Sequence, residues 1–199
     1  MMVNINIYSD TYSEQDDLFQ IIGNPKYKYY VEVSEIERFI LDYFCGLNEF
    51  PLNLTMSTYN DYEQIETLLK SLGQDYQIQF LADIVYASTE DGGTLKYNVP
   101  LFTITITDAT ALRAIITNTF WLAESNCTYF ISFSNNISFK NEVDKDWRGK
   151  DIEVSTFLID MSQQTTTLCI THDAYGFYLF SNFEEYSSVE SVIMQFPKY

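Results

Sequence analysis

A chain of 199 residues, 46% hydrophobic and carrying 16 Tyr, 15 Phe and 2 Trp, has the length of one domain and the material for an aromatic core, which excludes the disordered class despite its charge. Its 28 acidic and 11 basic residues leave a formal net charge of −17. That field disfavours direct binding to nucleic-acid backbones or anionic lipid and favours a cationic protein partner.

In chain order, strands are expected at 2–8 and 27–33. A helix is expected to start at Ser34, with Glu37 reaching back in a capping box. It places Ile36, Phe39, Ile40, Tyr43 and Phe44 on one face and ends at Gly46. After a strand at 52–57, a second helix opens at Asn60 with Glu63 three residues on, carries Ile65, Leu68, Leu69 and Leu72 at helical spacing, and stops at Gly73.

Ile78, Phe80, Ala82, Ile84 and Tyr86 then alternate with other residues. The turn Glu90-Asp91-Gly92-Gly93 leads into Leu95, Tyr97 and Val99, which reads as a long hairpin. Pro100 cannot donate to a ladder and should mark a bend or an edge before Phe102, Ile104 and Ile106. A third helix starts at Asp108, lines up Leu112, Ile115, Ile116, Thr119 and Phe120, and ends near Ser125. Strands follow at 127–133, 152–161, 166–172 and 176–181, with Gly176 allowing a sharp turn between the last two. The stretch 189–196 fits a strand or a short helix. The resulting class is α+β, a mixed and mostly antiparallel sheet with about three helices packed on one face. One domain over 1–199 is expected; the alternative is a division near residue 75 into an N-terminal helical lobe and a C-terminal sheet.

Cys45, Cys127 and Cys169 lie far apart without a CxxC pair, and are read as reduced core thiols. Met1–Tyr12 lacks a basic stretch followed by a long apolar one, and no window reaches the length of a membrane span, so a cytoplasmic protein is expected. The sequons at Asn53, Asn126 and Asn136 are then chance.

A single histidine, His172, cannot build a histidine-rich metal site. As activator of a nucleophile it would need Asp173 or Cys169, which on a strand point away from it. Paired carboxylates (Asp16-Asp17, Asp144 with Asp146, Asp151 with Glu153, Glu184-Glu185) are too abundant to single one out. The Asp144–Glu153 segment with Trp147 is the best place for a carboxylate site if one exists. Glycine spacing matches no nucleotide fingerprint, and no cofactor or metal is expected.

Acids and interface-forming rings meet most visibly in the last quarter, where Asp173, Tyr175, Tyr178, Glu184, Glu185 and Tyr186 form the candidate partner-binding set. The reading that follows is a non-catalytic acidic binding protein, an inhibitor or immunity-type protein that neutralises a basic toxin, nuclease or DNA-handling enzyme. Two alternatives stand beside it: a phage-type DNA mimic acting against restriction or another defence, and a carboxylate-based enzyme of unfamiliar type.

Overall fold

Two hydrophobic periods alternate along the chain, and each sorts residues into elements. The structure is a computed structural model that describes residues 3–9, 19–60, 62–88 and 92–199. The Asp16-Asp17 pair, Glu90-Asp91 of the hairpin turn, and parts of Met1–Tyr12 lie outside the described residues. The first half contains β1 (Ile5–Ser9), β2 (Phe19–Ile22), β3 (Tyr27–Val33), α1 (Ile36–Leu47), β4 (Leu52–Ser57), α2 (Glu63–Ser71), β5 (Asp75–Ser88) and β6 (Thr94–Ile106). The second half contains α3 (Ala109–Thr119), α4 (Trp121–Glu124), β7 (Tyr129–Ser132), β8 (Ile137–Lys145), β9 (Asp151–Asp160), β10 (Thr166–Ile170), β11 (Gly176–Ser181) and α5 (Val189–Gln195).

The strands form two sheets. The larger has eight strands in the order β1-β3-β11-β10-β7-β4-β6-β5, every neighbouring pair antiparallel. Strands from both sides of residue 75 interleave in it, since β4 lies between β7 and β6. The smaller sheet runs β2-β9-β8, with β2 parallel to β9 and β8 antiparallel to it. The fold is thus mixed and mostly antiparallel, and dominated by strand.

The helices and the small sheet pack on the two faces of the large sheet. Phe39, Ile40, Tyr43 and Phe44 of α1, Leu69 of α2, Leu112, Ile115 and Ile116 of α3 and Val192 of α5 join Leu54, Ile104, Ile131, Leu168 and Phe177 in the main core. On the other face Leu101, Phe130, Cys169 and Phe180 meet Phe19, Phe157 and Ile159 of the small sheet in a second core. Each large apolar side chain fully removed from water contributes roughly 1.5–3 kcal/mol, so both interfaces hold the layers together. No buried side-chain N or O among the described residues lacks a hydrogen-bond partner. Tyr129, for example, meets Thr119 at 2.9 Å between hydroxyl oxygens.

Several expectations need correction. Ser34 does not cap α1: its Oγ accepts from the backbone N–H of Asn4 at 3.1 Å, and Glu35 takes the cap position without a side-chain bond. Gly46 lies inside α1, which Asn48 closes in the left-handed region at φ 52°. Tyr62, not Asn60, precedes α2. Asp108 does cap α3, its Oδ1 accepting from the N–H groups of Thr110 and Ala111 at 2.8 and 2.9 Å. The hairpin β5–β6 forms, with a register shift in β5 between Phe80 and Ile84 and Pro100 opposite Phe80. The third expected helix, ending near Ser125, is divided into α3 and α4 at Phe120, and the stretch 189–196 is a short helix, α5, rather than a strand; the small sheet brings in two strands, β2 and β8, that the sequence pattern does not announce.

Gly176 serves a different purpose from the one expected. Left-handed backbone in the turn before β11 belongs to Asp173 (φ 56°) and Ala174 (φ 50°). At Gly176 a Cβ would come 2.3 Å from the carbonyl oxygen of Val31, so the glycine lets β11 approach β3.

Candidate functional site: an acidic cleft beside the C-terminal helix

Strand β11 decides where the six candidate partner-binding residues go. Its six residues span roughly 17–20 Å, and the candidates lie before, within and after it. Asp173 and Tyr175 sit at its start. The Asp173 carboxylate accepts from Asn126 Nδ2 at 3.0 Å, and Tyr175 is 71% exposed. Tyr178 lies within the strand, half-buried on the face toward the small sheet, with its ring 5.3 Å from that of Tyr30. Glu184, Glu185 and Tyr186 follow its end. The six therefore fall into three groups, Asp173 with Tyr175, Tyr178 alone, and Glu184 with Glu185 and Tyr186.

Those three residues differ sharply. Glu184 is engaged: it accepts from Tyr27 Oη at 2.6 Å and from Lys26 Nζ at 2.9 Å, and these bonds hold its carboxyl below the usual range. Tyr186 is 6% exposed and belongs to the main core. Its hydroxyl lies 2.5 Å from that of Tyr43 in α1, and its carbonyl accepts from Tyr29 Oη at 2.7 Å. Glu185 is exposed and has neither an ion pair nor a hydrogen bond among the described residues.

Glu185 shares a cleft of about 110 Å³ with Glu49, a residue the sequence did not single out. Leu47, at the end of α1, and Phe133 and Phe183, after β7 and β11, give it apolar walls; Gln195 of α5 closes one side. Glu49 is also exposed and unpaired among the described residues. Burial pushes the Tyr186 hydroxyl pKa up, and the fields of Glu49 and Glu185 raise it further. Next to Gln195, α5 exposes Ile193 (55%) and Met194 (70%). The arrangement offers a charged mouth over apolar walls beside an exposed apolar patch.

The other sequence candidates behave as follows. Asp144–Glu153 is the end of the hairpin β8–β9. Asp146 Oδ1 accepts from the N–H groups of Arg148 and Lys150 at 2.9 and 2.8 Å, and Lys145 pairs with Asp151. Trp147 projects from its tip, 85% exposed, with the Arg148 guanidinium 4.2 Å from the ring centroid. Its carboxylates do not converge, and no group of three or more His, Cys, Asp or Glu residues among the described residues could hold a metal ion.

His172 lines a cavity of about 50 Å³ with Cys127 and lies 3.9 Å from Asp173 between Nδ1 and Oδ2. Burial pushes the Cys127 thiol up, and its hydrogen-bond partners are Tyr59 and Ser57, not the imidazole. Cys169 is buried between the sheets. Glu37 is raised by burial and by Glu124, and lines none of these clefts. No helix of the described residues is long and apolar enough to cross a membrane.

Comparison of this chain with known protein families, curated proteins and solved structures finds no match. The reading of the cleft rests on its own chemistry.

Proposed function

We propose that the protein is an acidic binding protein of the inhibitor or immunity type, and that the Glu49–Glu185 cleft receives a lysine or arginine side chain from a basic protein partner. A Lys or Arg side chain pairs an apolar stem with a cationic head. The cleft offers the reverse pattern, with Leu47, Phe133 and Phe183 for the stem and two carboxylates for the head. The observation that carries the reading is that both cleft carboxylates are exposed without an ion pair or hydrogen bond among the described residues, while the adjacent Glu184 is paired with Lys26 at 2.9 Å. A net charge of −17 supplies steering toward a cationic surface, and Ile193 and Met194 supply apolar contact beside the charged anchor.

Capture from native lysate tests this, with wild type and Glu49→Gln/Glu185→Gln run side by side at low and high salt. Wild type should retain a dominant basic protein whose recovery falls as salt rises, and the double variant should retain much less of it. Equal recovery by the two proteins would overturn the reading.

A further inference from the structure

Directly opposed residues of the large sheet form rows across its strands, and two rows face the small sheet. One runs Asp75, Thr105, Asn53, Ser132, Thr167 across β5, β6, β4, β7 and β10; the next runs Gln77, Thr103, Thr55, Phe130, Cys169. Under the small sheet these rows are satisfied or apolar. The Ser132 and Thr167 hydroxyls meet at 2.9 Å, Asn136 Nδ2 donates to Thr167 Oγ1 at 3.0 Å, and Phe130 and Cys169 enter the second core. Beyond the small sheet the same face stays partly open at Asn53 of β4, Thr103 and Thr105 of β6 and Asp75, Gln77 and Gln79 of β5, although Thr55 is buried, and this open part forms the floor of a groove of about 550 Å³.

The floor carries Asn53, Asp75, Gln77, Gln79, Thr103 and Thr105; Asn135 and Ser138 stand at the side, and Ile137 and Phe139 of β8 make the apolar wall. None of the eight polar side chains has a hydrogen-bond or ion-pair partner among the described residues. Amides and hydroxyls dominate, with a single carboxylate and no cation, in a chain that holds 28 acidic residues.

We propose that this groove binds a neutral carbohydrate. Each sugar hydroxyl both donates and accepts, as do the Thr and Ser hydroxyls; Asn and Gln present a donor and an acceptor on one planar group, and Asp75 accepts from two hydroxyls. Without Lys or Arg the groove has no counter-charge for a phosphate or a sugar acid. One carboxylate among seven neutral groups gives it little preference for a cation. Ile137 and Phe139 fit the C–H face of a pyranose. The volume lies in the range of small-molecule sites, and strands fix the floor groups in place before any ligand arrives. The groove shares no residue with the Glu49–Glu185 cleft, so the proposal stands independently of the protein partner.

The test is a ¹H–¹⁵N NMR titration of the full chain with glucose, galactose, mannose, N-acetylglucosamine, and maltose and cellobiose, with glucuronate and glucose 6-phosphate as charged controls. At least one neutral saccharide should shift the amides of Asn53, Gln77, Thr103 and Thr105 saturably at millimolar concentration, and more strongly than the charged controls do. Gln77→Leu and, as a second variant on another strand, Thr103→Val should each weaken that saccharide about tenfold while Trp147→Ala, at the exposed tip of the β8–β9 hairpin, leaves it unchanged. No saturable shift at the groove with any neutral saccharide overturns the proposal, as does equal binding by wild type and both groove variants.

Discussion

The hydroxyls of Tyr43 and Tyr186 meet 2.5 Å apart inside the main core, linking the middle of α1 to the turn after β11 across 143 residues of sequence. The pair forms the floor behind the acidic cleft: Tyr186 lines the cleft, and Glu49 acts on both hydroxyls through its field. Tyr186→Phe removes one hydroxyl and leaves the other buried without this partner. The expected loss is about 1–3 kcal/mol in a urea denaturation series, with an unchanged slope.

Alkaline pH should expose the same feature. Burial holds the pKa values of Tyr43, Tyr129 and Tyr186 above that of an ordinary tyrosine. A folded-state pKa above the unfolded one gives stability that is complete below the unfolded value, near pH 10, and lost as pH rises through the folded values. The thermal midpoint should therefore fall once pH exceeds about 10, and tyrosinate absorbance should show a late fraction that ionises only as the chain unfolds. Smooth ionisation of all 16 tyrosines in the folded state would contradict the burial assigned to these three.

Two glycines make a paired prediction. Gly176→Ala forces a methyl onto the Val31 carbonyl where β11 begins to pair with β3, and should cost about 4 kcal/mol or more. Gly46→Ala meets nothing within 4 Å on the exposed side of α1 and should raise stability by up to about 1 kcal/mol. Thermal melts of the two variants beside wild type should bracket it from below and above.

Asp108→Ala should cost about 0.5–2 kcal/mol, because its Oδ1 satisfies two N–H groups at the start of α3. Ser34→Ala should cost less than a cap would, since Ser34 holds the Asn4 backbone rather than α1. Denaturation midpoints of the two variants order them directly.

Elements that bury one regular face were legible in the sequence. The apolar residues of α1 (Ile36, Phe39, Ile40, Tyr43, Phe44) are its buried set and β3 alternates along its length, while β4 and β11, covered on both faces, still occupy the ranges expected of them. Caps were less legible, because Ser34 looks like a cap until a strand from elsewhere claims its hydroxyl. Strand β8 was missed because its outer half is wet on both faces, so Asn141 and Lys145 stand in the register of Ile137, Phe139 and Val143 and interrupt the period of two. Of the cleft, Glu185 and Tyr186 could be read from local composition. Glu49, Leu47 and Phe133 could not, since only the order of strands in the large sheet brings those segments to one end of β11.

The cleft itself is tested most directly by a ¹H–¹⁵N NMR titration with an arginine-containing tripeptide against its citrulline counterpart, which keeps the shape and removes the charge. The amides of Leu47, Glu49, Phe133, Phe183 and Glu185 should shift with the arginine peptide alone, and the shifts should shrink with added salt and in Glu49→Gln/Glu185→Gln. Equal responses to arginine and citrulline, or arginine shifts that ignore the double substitution, would contradict a cation-receiving cleft.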